Sequence, residues 1–211
     1  MTEYHKIDSV YMRDPATNHR TFLTGEWSRP EFGYLADLDW VWTEKIDGTN
    51  IRIHLFSDGD FSIRGRTDKA DVPAHLLAPL DQIACDGWDR GIRDDLILYG
   101  EGYGPKVQGG GWYRDDHGFI LFDVATPGGM FLERHNVEDL AATLGVPVVP
   151  IVGHGLLVDA VHRVEDGMNP SVVAGTTGRQ AEGLVMRPAV ELLDRRGRRV
   201  ITKVKAKDFP Q

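Results

Sequence analysis

Lys45 stands in Glu44-Lys45-Ile46-Asp47-Gly48-Thr49-Asn50, with carboxylates on both sides and an amide close behind. A lysine amine can attack an activated phosphorus if its site keeps it uncharged. An ordinary lysine has a pKa of about 10.4, so only about one in a thousand is neutral at pH 7. Desolvation and neighbouring cations both favour the neutral amine. Further along come Arg64-Gly65-Arg66-Thr67, Leu98-Tyr99-Gly100-Glu101-Gly102 and a Gly109-Gly110-Gly111 run. Phe119-Ile120-Leu121-Phe122-Asp123-Val124, Ala181-Glu182-Gly183-Leu184-Val185-Met186-Arg187 and Thr202-Lys203-Val204-Lys205-Ala206 follow. These are the residue types that phosphoryl transfer requires, because that chemistry leaves a protein little beyond positioning and charge neutralisation. Alternating lysines and a Mg²⁺ held by oxygen ligands would neutralise phosphate. Phe122 or Val185 would offer an apolar face to a base.

Taken singly, each motif also fits a plain structural role. Asp123 could cap a turn into Pro127-Gly128, Phe122 could be core, and Lys203 with Lys205 could be a solvated strand face. The Arg195-Arg196-Gly197-Arg198-Arg199 run reads as a solvated tip.

The elements that must position these residues are legible from periodicity. Trp40-Val41-Trp42-Thr43 and Ile51 to Phe56 alternate as half-buried strands do, and Asp47-Gly48 between them predicts a hairpin with Lys45 at its mouth. Strands are expected at about 39–44, 50–56 and 61–66, the last two joined by Ser57-Asp58-Gly59-Asp60. Apolar positions Leu76, Leu77, Leu80, Ile83 and Ala84 predict a helix within about 74–93, before strands at about 96–101 and 119–124. Asn136 is the expected cap of a helix running to Leu144 and ended by Gly145. A strand at about 147–152, a helix near 156–166 and a hairpin of 183–193 with 199–205 complete the pattern. Residues 1–37 show no clear period and read as extended segments and loops. The order of elements predicts an α+β class with largely antiparallel sheets flanked by helices.

The 211 residues, 41% hydrophobic, suit a single domain. No apolar run approaches the eighteen or so residues of a membrane span, and Met1 to Lys6 lacks the apolar region of a secretory signal. The lone Cys85 is expected in the core of a protein of the reducing cytoplasm. Eight scattered histidines without cysteine partners do not form a zinc pattern. The formal net charge of −8 argues against general nucleic-acid binding. Local charge decides phosphate binding, however, and Arg195, Arg196, Arg198 and Arg199 cluster with Lys203, Lys205 and Lys207.

In sequence order, the motifs around Lys45, Arg66, Glu101, Phe122-Asp123, Glu182 to Val185 and Lys203 to Lys205 resemble the covalent nucleotidyltransferase superfamily. The chain looks most like its ATP-dependent RNA ligase family, in the phage-type, nick-sealing branch, from about Trp40 to Phe209. That resemblance implies a nucleotidyltransferase fold and a reaction in which Lys45 takes AMP from ATP, passes it to a 5′-phosphate end, and a 3′-hydroxyl then seals the strand. It implies that Phe122 stacks on adenine, that Glu101 binds a ribose hydroxyl, and that Arg66 contacts ribose and orients the reacting end. Glu182 and Asn50 would support Mg²⁺ or Mn²⁺, Lys203 and Lys205 would contact the α-phosphate, and Glu44, Asp47, Asp123 and Val185 would complete the nucleotide site. The expected substrate is nicked or broken RNA; DNA nicks, or silent binding of ATP or strand ends, are the alternatives. Only six residues follow Lys205, so no C-terminal oligonucleotide-binding domain is expected. The first forty residues, or a partner protein, would then supply the grip on the substrate.

Overall fold

The first thirty-seven residues are more ordered than their composition suggests. In the computed structural model, which describes residues 2–175 and 178–209, they form β1 (Asp8–Ser9), β2 (Tyr11–Arg13), β3 (Phe22–Trp27) and α1 (Pro30–Tyr34). Then come β4 (Trp40–Lys45), β5 (Thr49–Leu55), β6 (Phe61–Gly65), α2 (Ala74–Asp89), β7 (Leu96–Tyr103), β8 (Gly118–Ala125) and α3 (Arg134–Leu144). β9 (Ile151–Gly155), α4 (Leu157–Glu165), β10 (Gly183–Pro188) and β11 (Thr202–Lys205) follow. Among the described strands every pairing is antiparallel except that of β1 with β11. The class is α+β. No helix among the described residues is long and apolar enough to cross a membrane.

The contacts divide the chain into two compact units, one of Lys6–Lys45 with Pro150–Gln211 and one of Met1–His5 with Ile46–Val149. In the first, a five-stranded sheet runs in the order β1-β11-β10-β4-β9, beside the β2-β3 ribbon. Strand alternation sorts its two faces. Trp40, Trp42, Leu184, Met186 and Val204 are buried in one core with Leu157, Ala160, Val161 and Val164 of α4. Lys45, Val185, Lys203 and Lys205 therefore lie on the opposite face.

In the second unit the sheet order is β6-β5-β7-β8. Ile51, Ile53, Leu98, Phe119, Leu121 and Val124 pack with Leu76, Leu80 and Ala84 of α2 and Val137, Ala141 and Leu144 of α3. A β-bulge pairs Tyr99 with Asp123 but Gly100 with Leu121, leaving Phe122 as the extra residue. Leu121 and Val124 can thus both reach the core while Asp123 keeps to the other face.

Several expectations are corrected. β4 and β5 do not form a hairpin: β4 pairs with β9 and β10, and β5 with β6 and β7, so neither keeps an open edge for the other. Gly48 is required for a different reason, since a Cβ there would collide with Gly102 O and Glu101 Cγ. The expected strand 147–152 is split. Leu121 bonds Pro147 and Val149 in the second unit, and β9 begins after Pro150, whose carbonyl accepts from Glu44 N–H in the first.

α2 stops at Asp89 because Gly91 takes a left-handed φ of 89° and Ile92 N–H turns back to Gly87 O. Asn136 lies inside the first turn of α3, with Glu133 at the N-cap. Cys85 is exposed: it follows the buried Ala84 by about 100° around the helix and so misses the face set by Leu76 and Leu80.

The C-terminal strand pair is shorter than expected, because Ala189 N–H bonds Asp39 O instead of extending the ladder. Its tip is only partly solvated. Asp194, held at a pKa of about 2 by the backbone N–H of Arg198 and further hydrogen bonds, ties the turn together. Arg199 is buried and pairs with Glu191.

Candidate active site

Three of the expected site side chains meet on the face of the five-stranded sheet opposite its core. Register places Lys45 of β4 and Lys205 of β11 both opposite Gly183 of β10. Glu182, the residue before that glycine, reaches both. Lys45 Nζ donates to Oε2 at 2.8 Å and Lys205 Nζ to Oε1 at 2.5 Å. Burial pushes the Glu182 carboxyl up, but the two ammonium groups outweigh it and hold the group below its ordinary value. The balance is reasonable in scale. A partly exposed ion pair at 4 Å is worth about 4 kcal/mol before desolvation, and two of them act on one carboxylate.

The next register line carries Thr43, Val185 and Lys203, where Thr43 Oγ1 donates to Val185 O at 3.2 Å. Asp208, buried after β11, accepts the backbone N–H of Lys205 at 3.0 Å and an Arg13 amine at 2.7 Å, and so fixes the end of the lysine strand. Sequence reading missed Asp208; its spacing of three from Lys205 at a strand end was the available signal.

Glu44 is not brought to Lys45. Its neighbouring position on β4 turns it to the buried side. There it accepts from the Ser171 hydroxyl at 2.5 Å and the N–H groups of Val172 and Val173 at 2.8 and 3.1 Å. The carboxylate read as a nucleotide ligand is the anchor of the 171–174 loop.

The second unit gathers the remaining site residues on the sheet face away from its core. Asn50 pairs across strands with Glu101, and Arg52, Tyr99 and Asp123 form the adjoining row. Asn50 Oδ1 is buried without a hydrogen-bond partner among the described residues. Arg52 is fully buried, a role that the alternation of apolar positions did not announce. Its Nε bonds Gly65 O at 2.8 Å and its amine pairs with Asp68 at 2.9 Å, shaping the loop that presents the exposed Arg66. The Arg52 hydrogen bond holds the Asp68 carboxyl below its ordinary value.

Tyr4, also missed, donates its hydroxyl to Asp123 Oδ2 at 2.5 Å and sets its ring edge-on to Phe122, centroids 5.0 Å apart. Phe122 is half-buried beside it. Asp47 turns to the glycine loop: Oδ2 accepts Gly109 N–H at 3.1 Å, and its own N–H donates to the Tyr113 hydroxyl.

Among the described residues no three His, Cys, Asp or Glu side chains gather as a metal cage. In the second unit the unpartnered Asn50 Oδ1 is an oxygen suited to a hard cation, and in the first unit, considered by itself, the Glu182 carboxylate is another.

The sequence profile described as RNA ligase matches residues 38–205. No curated protein matches the chain. Among solved structures, the chain is similar to Naegleria gruberi RNA ligase with PPi, at 18% identity and a TM-score of 0.67. It is also similar to mutants of that ligase with ATP and Mn, at 18% identity and TM-score 0.68, and with AMP and Mn, at 17% and 0.68. Each alignment covers 97% of this chain and 56% of the other, so the chain spans a little over half the length of the ligase chains it matches.

Proposed function

The chain belongs to the RNA ligase family, and from that premise we propose that it is an ATP-dependent RNA ligase of the nick-sealing branch acting through lysyl-AMP. The observation that carries this reading is the convergence of Lys45, Glu182 and Lys205 on one sheet face. Neutral Lys45 Nζ attacks the α-phosphorus of ATP; the N–P bond forms as the amine loses a proton to solvent, the bond to the bridging oxygen breaks, and pyrophosphate leaves. A 5′-phosphate oxygen then attacks the same phosphorus, and the lysine nitrogen regains a proton from solvent and leaves as the amine, giving an adenylylated strand end. A 3′-hydroxyl finally attacks the phosphorus of that 5′-phosphate, losing its proton to solvent, and AMP departs as the phosphodiester forms.

Lys203 and Lys205 neutralise the α-phosphate as charge shifts, the role of preorganised electrostatics. Glu182 orients both Lys45 and Lys205. Asn50 and Glu182 would each offer oxygen to a divalent cation, Mg²⁺ or Mn²⁺, and that cation would neutralise phosphate charge. Phe122 and Val185 offer apolar faces to adenine, Glu101 accepts from ribose, and Arg66 contacts ribose and the strand end. Asp47 and Asp123 support the nucleotide through the loop and the aromatic cluster they fix.

In this reading the two units act as one ligase domain on nicked or broken RNA in the cytoplasm, with a partner protein adding grip. Its test is sealing of a nicked RNA duplex bearing 3′-hydroxyl and 5′-phosphate ends, with ATP and Mg²⁺. The expected result is product with the unaltered chain and none with Lys45→Ala. Failure of the unaltered chain to seal any such nick would overturn the reading.

A further inference from the structure

Beside the lysine strand lies a cavity of about 800 Å³ that shares Lys203 and Lys205 with the adenylylation chemistry and extends beyond them. It is built from the N-terminal segment and β11: β1 runs parallel to β11 with Ser9 opposite Lys203, and Val10 N–H bonds Lys203 O at 2.9 Å. Lys6, Arg13, Arg20, Lys203, Lys205 and Lys207 line it, against the carboxylates Asp8 and Asp208 alone. Six cations and two anions leave a local excess of four positive charges in a chain of formal net charge −8. Asp208 is already engaged by Arg13 and by Lys205 N–H. Lys6, Arg20 and Lys207 are exposed, so their heads can turn toward a ligand.

We propose that this cavity holds the backbone phosphates of the RNA strand whose 5′-phosphate receives AMP. The inference rests on the ligase reading and extends it to the grip on the substrate. Its wall is shared with the reaction: Lys205 bonds Glu182, the same carboxylate that Lys45 bonds. A strand whose terminal phosphate reaches Lys205 must continue from there, and this cavity is a basic surface that adjoins Lys205 on the same unit. Repeated phosphates match several spaced cations, and six line this cavity.

The test uses the triple variant Lys6→Ala/Arg20→Ala/Lys207→Ala, which spares Lys203, Lys205 and the Arg13–Asp208 pair. Binding of a 3′-labelled, 5′-phosphorylated single-stranded RNA is followed by fluorescence anisotropy over a salt series, beside self-adenylylation and its reversal by pyrophosphate. The variant is expected to bind RNA at least about tenfold more weakly at low salt. Its log–log salt slope should be shallower by about two, at about 0.7 per lost contact for a single strand. Adenylylation and its reversal should be unchanged. The single variant Lys207→Glu should weaken RNA binding in the same direction and guards against misfolding of the triple.

Unchanged affinity and slope would overturn the proposal. So would unchanged RNA binding with impaired pyrophosphate reversal, which would make the cavity a pyrophosphate site. Failure of the ligase reading looks different: the unaltered chain would not adenylylate, while the binding series would still report on the cavity.

Discussion

Lys45 and Lys205 stand two strands apart on one register line, each opposite Gly183, and each bonds a different oxygen of Glu182. The glycine between them is a packing requirement. A Cβ at Gly183 would collide with Val204 O and the Lys205 backbone, so only glycine lets β10 lie this close to β11. The carboxylate that precedes it is thereby held between both ammonium groups, and Lys45 and its neighbouring cation are positioned by one backbone pairing.

The Glu182 bridge gives stability a defined pH dependence. Because its folded pKa lies below the ordinary 4.5, the contribution is full above about pH 4.5 and is lost as the pH falls through the lowered folded value. Denaturant unfolding of the unaltered chain and of Glu182→Gln should therefore show a stability gap that is constant from pH 7 to 5 and narrows below it. A gap that widens toward acid would contradict the assignment.

Glu44 is expected to govern stability. Removing its carboxylate leaves the N–H groups of Val172 and Val173 and the Ser171 hydroxyl without their acceptor, at about 1–3 kcal/mol for a buried unsatisfied group. Glu44→Ala should lose roughly 3 kcal/mol in chemical denaturation, and Glu44→Gln less. An Ala variant of normal stability that no longer takes AMP would place the carboxylate in the nucleotide site after all.

Arg52 and Asp68 should differ sharply although they form one ion pair. Arg52 is fully buried and Asp68 is 63% exposed. Arg52→Ala loses the bond to Gly65 O and its packing, about 2 kcal/mol, and frees the loop that carries Arg66. Asp68→Asn should cost much less, because an exposed partner in an ion pair contributes little. Equal losses in thermal or denaturant unfolding would show that the ion pair, rather than the buried guanidinium, holds the loop.

Much of this arrangement was legible in the sequence. The alternation of Trp40 and Trp42 marked β4, the alternation around Ile51 and Ile53 marked β5, and the ordered motifs marked both lysine-bearing strands. The sequence could not say which strands pair. Asp47-Gly48 has the composition of a hairpin turn, yet β4 and β5 enter different sheets because their edges are taken by distant partners. For the same reason Glu44 looked like a companion of Lys45, and only the identity of the buried face separates them. Arg52 and Tyr4 escaped notice because a buried arginine and an N-terminal tyrosine acquire their roles from residues remote in sequence.

The most direct test of the central claim is the intact mass of the protein after incubation with ATP and Mg²⁺. The expected result is a gain of one AMP, located to Lys45 by peptide mapping, reversed by pyrophosphate and absent in Lys45→Ala. An AMP adduct that persists in Lys45→Ala, or that maps to another residue, would contradict the claim that Lys45 is the nucleophile.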